Sequence, residues 1–105
     1  MKHNYSAQKK ETYDTFRQSK GVKLPQRAVV DYAFFVEELD ANWNGFEQAL
    51  KAKGYKVKRL NDNETVIASY GPIEFNADEV WRWESRATEI ALEFDFYPDG
   101  WEIDA

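Results

Sequence analysis

The sequence predicts an α+β fold of the ferredoxin-like type, a βαββαβ sandwich in which a four-stranded antiparallel sheet carries two helices on one face. Three observations support this prediction. An alternating apolar run begins at Ala28, a polar turn at residues 61–64 separates two short strand-like runs, and a capped amphipathic helix follows Asn76. Each predicted helix has one apolar stripe to bury, so both are expected on the same face of the sheet. A helical N-terminal arm is predicted in front of this unit.

The length of the chain is that of a single domain, and its charge distribution separates a basic arm from an acidic body. The 105 residues suffice for one hydrophobic core but not for two. Residues 1–27 contain seven Lys or Arg residues and two acidic residues (net +5). Residues 28–105 contain seven Lys or Arg residues and seventeen acidic residues (net −10). We therefore assign 1–27 to a basic arm with a helix and a linker, and 28–105 to the α+β domain. An acidic body repels a phosphate backbone, so a protein partner is expected and direct nucleic-acid binding is not.

The arm is predicted to form a helix over residues 5–19, in which polar residues dominate. Pro25 cannot continue a helix, so residues 20–27 are interpreted as the linker. The aromatic residues Tyr13 and Phe16 are candidates to cover the second face of the sheet, because that face also carries apolar positions.

The first strand is predicted over residues 28–39. Both of its faces are partly apolar, which is typical of a central strand rather than an edge. A short helix is predicted to begin between residues 40 and 44, and Asn44 and Glu47 have the spacing of a capping box. Gly54 is expected to end this helix in a left-handed conformation.

A β-hairpin is predicted next. Residues 55–60 and 65–70 form its strands, and the polar turn at residues 61–64 joins them. Gly71 and Pro72 are expected to end the second strand.

The second helix of the body is the best-specified element. Asn76 caps it and Glu79 completes a capping box. Its apolar stripe has helical spacing and consists of Val80, Trp83, Ala87, Ile90, Ala91 and Phe94. The last strand is predicted over residues 95–102, where Pro98 and Gly100 favour an edge position or a β-bulge.

The residues with catalytic potential are few. The chain has no cysteine, a single histidine (His3) in the arm, and no glycine-rich phosphate-binding loop. We therefore expect no catalytic residue, no cofactor and no metal site, and we interpret the protein as not an enzyme. The acidic residues near the end are Asp95, Asp99, Glu102 and Asp104. They indicate either a solvated edge or a docking surface for a basic partner.

Two tryptophans are candidates for partner contact. Trp81 lies one residue off the apolar stripe of its helix, and Trp101 follows the Asp-Gly turn and alternates with Glu102. Packing at the rim of the core is the alternative for both, although tryptophan is enriched at binding hot spots. The predicted partner-binding residues are Asp99, Trp101, Glu102 and Trp81.

Several segments, in this order and spacing, resemble the regulator of ribonuclease E activity B family. They are the strand at residues 32–38, the runs 46–50 and 54–57, Asn76-Ala77-Asp78, Phe94-Asp95 and Asp99-Gly100-Trp101. The resemblance covers about residues 10–104. It implies an α+β sandwich and a non-enzymatic protein that binds ribonuclease E, restrains its endonucleolytic activity and so alters RNA turnover. This chain differs from the family pattern in its basic arm and its short first body helix.

Two other functions fit the same features. One is an immunity or antidote protein that binds a basic toxin, and the other is a small dimeric ferredoxin-like enzyme. No signal peptide and no apolar run long enough to span a membrane are visible, so a cytoplasmic protein without a membrane partner is expected.

Overall fold

The predicted order of elements is confirmed, with one helix in front of the βαββαβ unit. The computed structural model describes residues 3–19, 21, 23–36, 38 and 40–103. Glu37, Leu39 and Asp104, on which parts of the sequence-based predictions fall, lie outside the described residues. The elements are α1 (Tyr5–Gln18), β1 (Arg27–Val36), α2 (Trp43–Ala52), β2 (Lys56–Arg59), β3 (Thr65–Glu74), α3 (Ala77–Glu93) and β4 (Phe96–Ile103).

The four strands form one open antiparallel sheet in the order β2-β3-β1-β4. Each βαβ half therefore places its two strands apart, with a strand from the other half between them. This is the ferredoxin-like arrangement that the sequence predicts. The strand β1 is central, as expected from its two partly apolar faces, and β2 and β4 form the edges.

A β-bulge interrupts β4 where the sequence predicts one. Pro98 lies opposite Phe34 and Trp101 lies opposite Tyr32, so β4 has one more residue than β1 in this interval. The additional residue belongs to the Asp99-Gly100 step, and Gly100 has a φ of +92°. A glycine accepts this backbone conformation without the steric penalty that a side chain imposes.

The core lies between the sheet and the helices. Along β1, the buried residues alternate with half-exposed ones, which face the opposite side of the sheet. The Tyr32 hydroxyl donates a hydrogen bond to the Val80 carbonyl of α3, 2.8 Å away, and so joins the sheet to that helix. On α3, the predicted stripe packs as expected. The buried apolar residues are Ala28, Val30, Tyr32, Phe34, Phe46, Leu50, Tyr55, Val66, Ala68, Ile73, Val80, Ala87, Ala91 and Phe96.

The predicted cap of α2 is wrong by two residues. Asn42, not Asn44, is the N-cap, because its side chain accepts a hydrogen bond from the backbone N–H of Gly45 at 2.9 Å. Both asparagines precede segments with helical spacing, so the local sequence does not distinguish them. The cap of α3 is confirmed, since the Asn76 side chain accepts from the backbone N–H of Glu79 at 2.8 Å.

The predicted end of β3 is also wrong. The strand continues past Gly71 and Pro72 to Glu74, because its ladder with β1 resumes beyond a register shift. Gly71 has a φ of +135°, and a Cβ there would lie 2.8 Å from the carbonyl oxygen of Ala28. A glycine at this point therefore allows the two backbones to approach closely, and the strand bulges instead of ending.

The helix α1 does not cover the second face of the sheet, so that hypothesis is wrong. It packs against α3 on the helical side instead. Phe16 packs against Phe75 and Trp101, and the Tyr13 hydroxyl donates to Asp78. The opposite face of the sheet is left without a covering element among the described residues.

Candidate protein-binding surface

Trp101 connects the last strand to the N-terminal helix. Its ring lies 5.7 Å from that of Phe16 in a stacked arrangement and 5.9 Å from that of Phe75 in an edge-on arrangement. Its indole N–H donates to the hydroxyl of Thr12 at 3.1 Å. The half-buried indole is therefore a structural contact for α1, and only part of it faces solvent.

Beneath this contact lies a buried polar network centred on Glu84 of α3. Glu84 is only 4% exposed. One carboxylate oxygen accepts from the Thr12 hydroxyl at 2.5 Å, and the other accepts from Gln8 Nε2 at 3.1 Å. Gln8 Nε2 also lies 2.9 Å from the Thr88 hydroxyl. A buried carboxylate requires such donors, because an unpaired one would lose its hydration without compensation.

Sequence reasoning misses this network, because Glu84 is not part of the predicted apolar stripe of α3. A signal for it exists in the spacing of polar residues. Gln8 and Thr12 are four residues apart on α1, and Glu84 and Thr88 are four residues apart on α3, so each pair shares one helical face. Two helices that each carry such a pair can pack with their polar side chains matched.

Burial raises the pKa of Glu84 above its ordinary value of 4.5, and the negative charge of Glu11 acts in the same direction. Hydrogen bonds from Thr12 and Gln8 to the ionised carboxylate oppose this shift. The net direction is upward, so the folded state binds this proton more tightly than the unfolded chain does.

This raised pKa predicts how the stability of the protein depends on pH. From neutral pH down to the ordinary carboxyl range, Glu84 takes up its proton in the folded state first, so this group adds stability as the pH falls. Glu84→Gln cannot titrate and lacks this gain. We therefore expect the unfolding free energy of the wild type, relative to that of Glu84→Gln, to increase as the pH falls from about 7 to about 4.5.

Urea unfolding of both proteins across this range measures the difference, in which the titration of the other carboxyls cancels. A difference that stays constant with pH would show that the site does not perturb Glu84.

Two surface concavities flank the Gly100-Trp101 step. One is lined by Glu11, Thr12, Thr15, Glu84, Gly100 and Trp101. The other lies on the uncovered face of the sheet and is lined by Asp31, Ala33, Leu60, Thr65, Ile67, Asp99, Gly100, Trp101 and Glu102. Among the described residues, neither lining includes a Lys or Arg. We refer to Glu11, Asp31, Asp99, Trp101 and Glu102 as the β4-edge surface.

The carboxylates of the β4-edge surface are close in the sheet. Asp31 and Glu102 lie directly opposite each other on β1 and β4, and like charges in such a pair disfavour folding. Asp31 accepts a hydrogen bond from the Ser69 hydroxyl at 2.5 Å, which offsets part of this cost. A cationic partner that approaches this edge would relieve the repulsion.

The structure brings together three of the four predicted partner-binding residues. Asp99 and Glu102 are exposed and Trp101 is half-buried between them. Trp81 lies elsewhere, on α3 between Asp78 and Glu84, and lines neither concavity.

The basic residues after α2 do not form a continuous cationic stripe. Arg59 is paired with Glu47 at 2.5 Å, and its guanidinium lies over the Trp43 ring at 5.0 Å. Lys51 lies in α2, whereas Lys56 and Lys58 lie on β2.

The rest of the described chain adds no second chemical centre. His3 Nε2 lies 2.6 Å from the side-chain oxygen of Gln8, and its ring contacts that of Tyr5. No group of three or more His, Cys, Asp or Glu side chains suited to a metal ion occurs within the described ranges. None of the described helices is long and apolar enough to cross a membrane.

An α+β fold with an acidic, tryptophan-containing edge is compatible with a protein that acts on another macromolecule, and comparison with known families agrees. The model of a family of ribonuclease regulators, described as "Regulator of ribonuclease activity B", matches residues 7–103. The chain therefore belongs to the regulator of ribonuclease activity B family, which is a regulatory rather than a catalytic family. No curated protein matches the sequence.

Proposed function

We propose that this protein binds an endoribonuclease of the ribonuclease E type and inhibits it through the β4-edge surface, without catalysing a reaction itself. The observation that carries the proposal is the absence of Lys and Arg from the described linings of both concavities beside Trp101. In a member of a ribonuclease-regulator family, an edge whose charged lining residues are all acidic is a natural counterpart to a surface that binds RNA.

The mechanism is electrostatic competition. A nuclease holds RNA through cationic side chains that neutralise phosphates. Exposed carboxylates such as Asp99 and Glu102 can pair with the same side chains and exclude the substrate. The accessible part of Trp101 supplies an apolar contact beside them, where exclusion of water strengthens the ion pairs. Such an inhibitor acts stoichiometrically, and in this role we expect it in the cytoplasm, where RNA decay takes place.

The direct test replaces the two exposed acids together. Asp99→Lys with Glu102→Lys reverses the charge of the edge, so we expect at least a tenfold weaker dissociation constant for a purified ribonuclease E-type enzyme. We also expect inhibition of its cleavage of a labelled single-stranded RNA to fall in parallel. Calorimetry and the cleavage assay measure the two quantities.

The matched control is Glu89→Lys with Glu93→Lys, which makes the same change of charge at exposed positions of α3. This control variant should retain most of the affinity for the nuclease. Separately, binding of the wild type should weaken as the salt concentration rises from about 50 to about 300 mM. Equal loss in both variants, or binding insensitive to salt, would argue against the β4-edge surface. No binding by the wild type would refute the proposed function.

A further inference from the structure

The uncovered face of the sheet has an ordered distribution of charge. One row of cross-strand neighbours runs across all four strands as Lys56, Ser69, Asp31 and Glu102. The next row contains Lys58, Ile67 and Ala33 and ends at the bulge that carries Asp99. Cations thus lie on the β2 edge and carboxylates on the β4 side. The third row contains Thr65, Phe35 and Tyr97, and the rings of the latter two lie 5.7 Å apart.

The opposite charges at the two edges of this face are not paired within one chain. Neighbouring strands are about 4.8 Å apart, so Lys56 and Glu102, on the two edge strands, are separated by about 14 Å. In the described part of the chain, no ion pair involves Lys56, Lys58, Asp31, Asp99 or Glu102. The half-exposed side chains of Phe35 and Tyr97 lie on the same face.

We infer that a second copy of this chain covers the face, related to the first by a two-fold axis that runs parallel to the strands between β3 and β1. This axis places Lys56 of each copy over Glu102 of the other. It places Lys58 over the bulge with Asp99, and Ile67 over Ala33. Each contact occurs twice, as an isologous interface requires.

A second copy fits this face better than a uniformly charged partner does. A cationic segment would attract the carboxylates on the β4 side but would be repelled by the two lysines at the β2 edge. An anionic segment would attract the lysines and be repelled by the carboxylates. A face with the same separation of charge, rotated by 180° about an axis parallel to the strands, complements both edges at once, because its carboxylates then lie over the lysines and its lysines over the carboxylates. The face is small, so the association is expected to be weak, with dimers appearing at roughly 10–500 µM.

Dimer formation would also regulate the proposed function, on which this consequence rests. Asp99 and Glu102 contribute both to the dimer and to the β4-edge surface. A dimer therefore occludes part of the nuclease-binding surface, and the two associations exclude each other.

The test uses a charge exchange between two variants of the full chain. Lys56→Glu with Lys58→Glu makes the face wholly acidic, and Asp99→Lys with Glu102→Lys makes it wholly basic apart from Asp31. Each variant alone should sediment as a monomer at concentrations where the wild type dimerises. An equal mixture should form a heterodimer at least as tight as the wild-type dimer, because every edge contact again joins opposite charges.

The control mixture combines two other double variants. One carries Lys51→Glu and Lys53→Glu, and the other carries Glu89→Lys and Glu93→Lys. They have the same net charges as the two test variants, but the changed positions lie off this face. This mixture should associate no more than the wild type. A wild type that remains monomeric up to about 500 µM would overturn the inference, as would a dimer that the Lys56/Lys58 variant leaves intact or a mixture that does not associate.

This outcome is separable from that of the proposed function. The Lys56/Lys58 variant keeps Asp99 and Glu102, so it should lose the dimer and still bind the nuclease. A loss of dimer without loss of nuclease binding supports the inference whatever residue of the nuclease is involved. A dimer with the predicted charge dependence, in a protein that binds no nuclease, would refute the proposed function alone.

Discussion

Replacing Phe96 with alanine is expected to destabilise the protein strongly, by about 3–5 kcal/mol. Phe96 is 0% exposed, and its ring lies 4.4 Å from that of Phe46 and 5.2 Å from that of Trp43. These rings come from β4 and α2, so no single element can relax to fill the cavity. Urea unfolding followed by circular dichroism measures the loss.

The matched control is Tyr97→Ala, one residue further along the same strand. Tyr97 is half-exposed on the uncovered face, so its removal should cost only about 1 kcal/mol. Because domains of this size are marginally stable, Phe96→Ala could unfold altogether, and Phe96→Leu then provides a milder comparison with a loss of about 1–2 kcal/mol. Equal losses at positions 96 and 97 would contradict the assignment of the two faces.

The second large effect is expected from Trp101→Ala, with a loss of about 2–4 kcal/mol and the release of α1. The indole contacts Phe16 and Phe75 and donates to Thr12. Without it, the polar network of Glu84 is exposed to water on one side. Hydrogen exchange should therefore report a loss of protection in α1 that is larger than any loss in α3.

Trp101→Phe separates the two contributions of this residue. The phenyl ring keeps the stacking against Phe16 but cannot donate to Thr12, so the expected cost is about 1 kcal/mol and α1 should stay protected. If Trp101→Ala leaves the exchange of α1 unchanged, the helix is held by other contacts. These variants also caution against using Trp101 alone to map a binding surface, since its loss changes the structure around it.

The elements that the sequence predicts well are those specified by neighbouring residues. The cap of α3 depends on Asn76 and Glu79, three residues apart, and its stripe follows from helical spacing alone. The bulge in β4 follows from Pro98 and Gly100, whose backbones are unsuited to a regular ladder. Such signals remain valid whatever packs around them.

The features that the sequence does not predict depend on distant residues. Glu84 is buried because Gln8 and Thr12, more than seventy residues earlier, supply its hydrogen bonds. The position of α1 has the same origin, since a helix with few apolar residues has no strong preference for one surface. For β3, the backbone of β1 determines that pairing resumes beyond Gly71.

The candidate site is predictable only in part for the same reason. Asp99 and Glu102 are expected near each other because they are close in sequence. The contribution of Asp31 is not foreseeable, since it depends on which residues of β1 and β4 lie opposite each other. For Trp101 the sequence leaves core packing and partner contact open, and the structure supports packing for most of its ring.

The single additional residue at the β4 bulge decides what the outer end of that strand presents to each side. Residues of a regular strand point alternately to its two faces. The bulge absorbs one residue of this alternation, so that Pro98 and Trp101, three positions apart, both lie opposite buried residues of β1, Phe34 and Tyr32. If β4 kept all of its residues but alternated regularly through Asp99 and Gly100, without a bulge, the indole of Trp101 would point away from the helices, and the carboxylate of Glu102 would point into the apolar interior. Both the contact of Trp101 with the N-terminal helix and the exposure of Glu102 on the opposite face thus depend on Gly100, whose backbone adopts the conformation that the bulge requires.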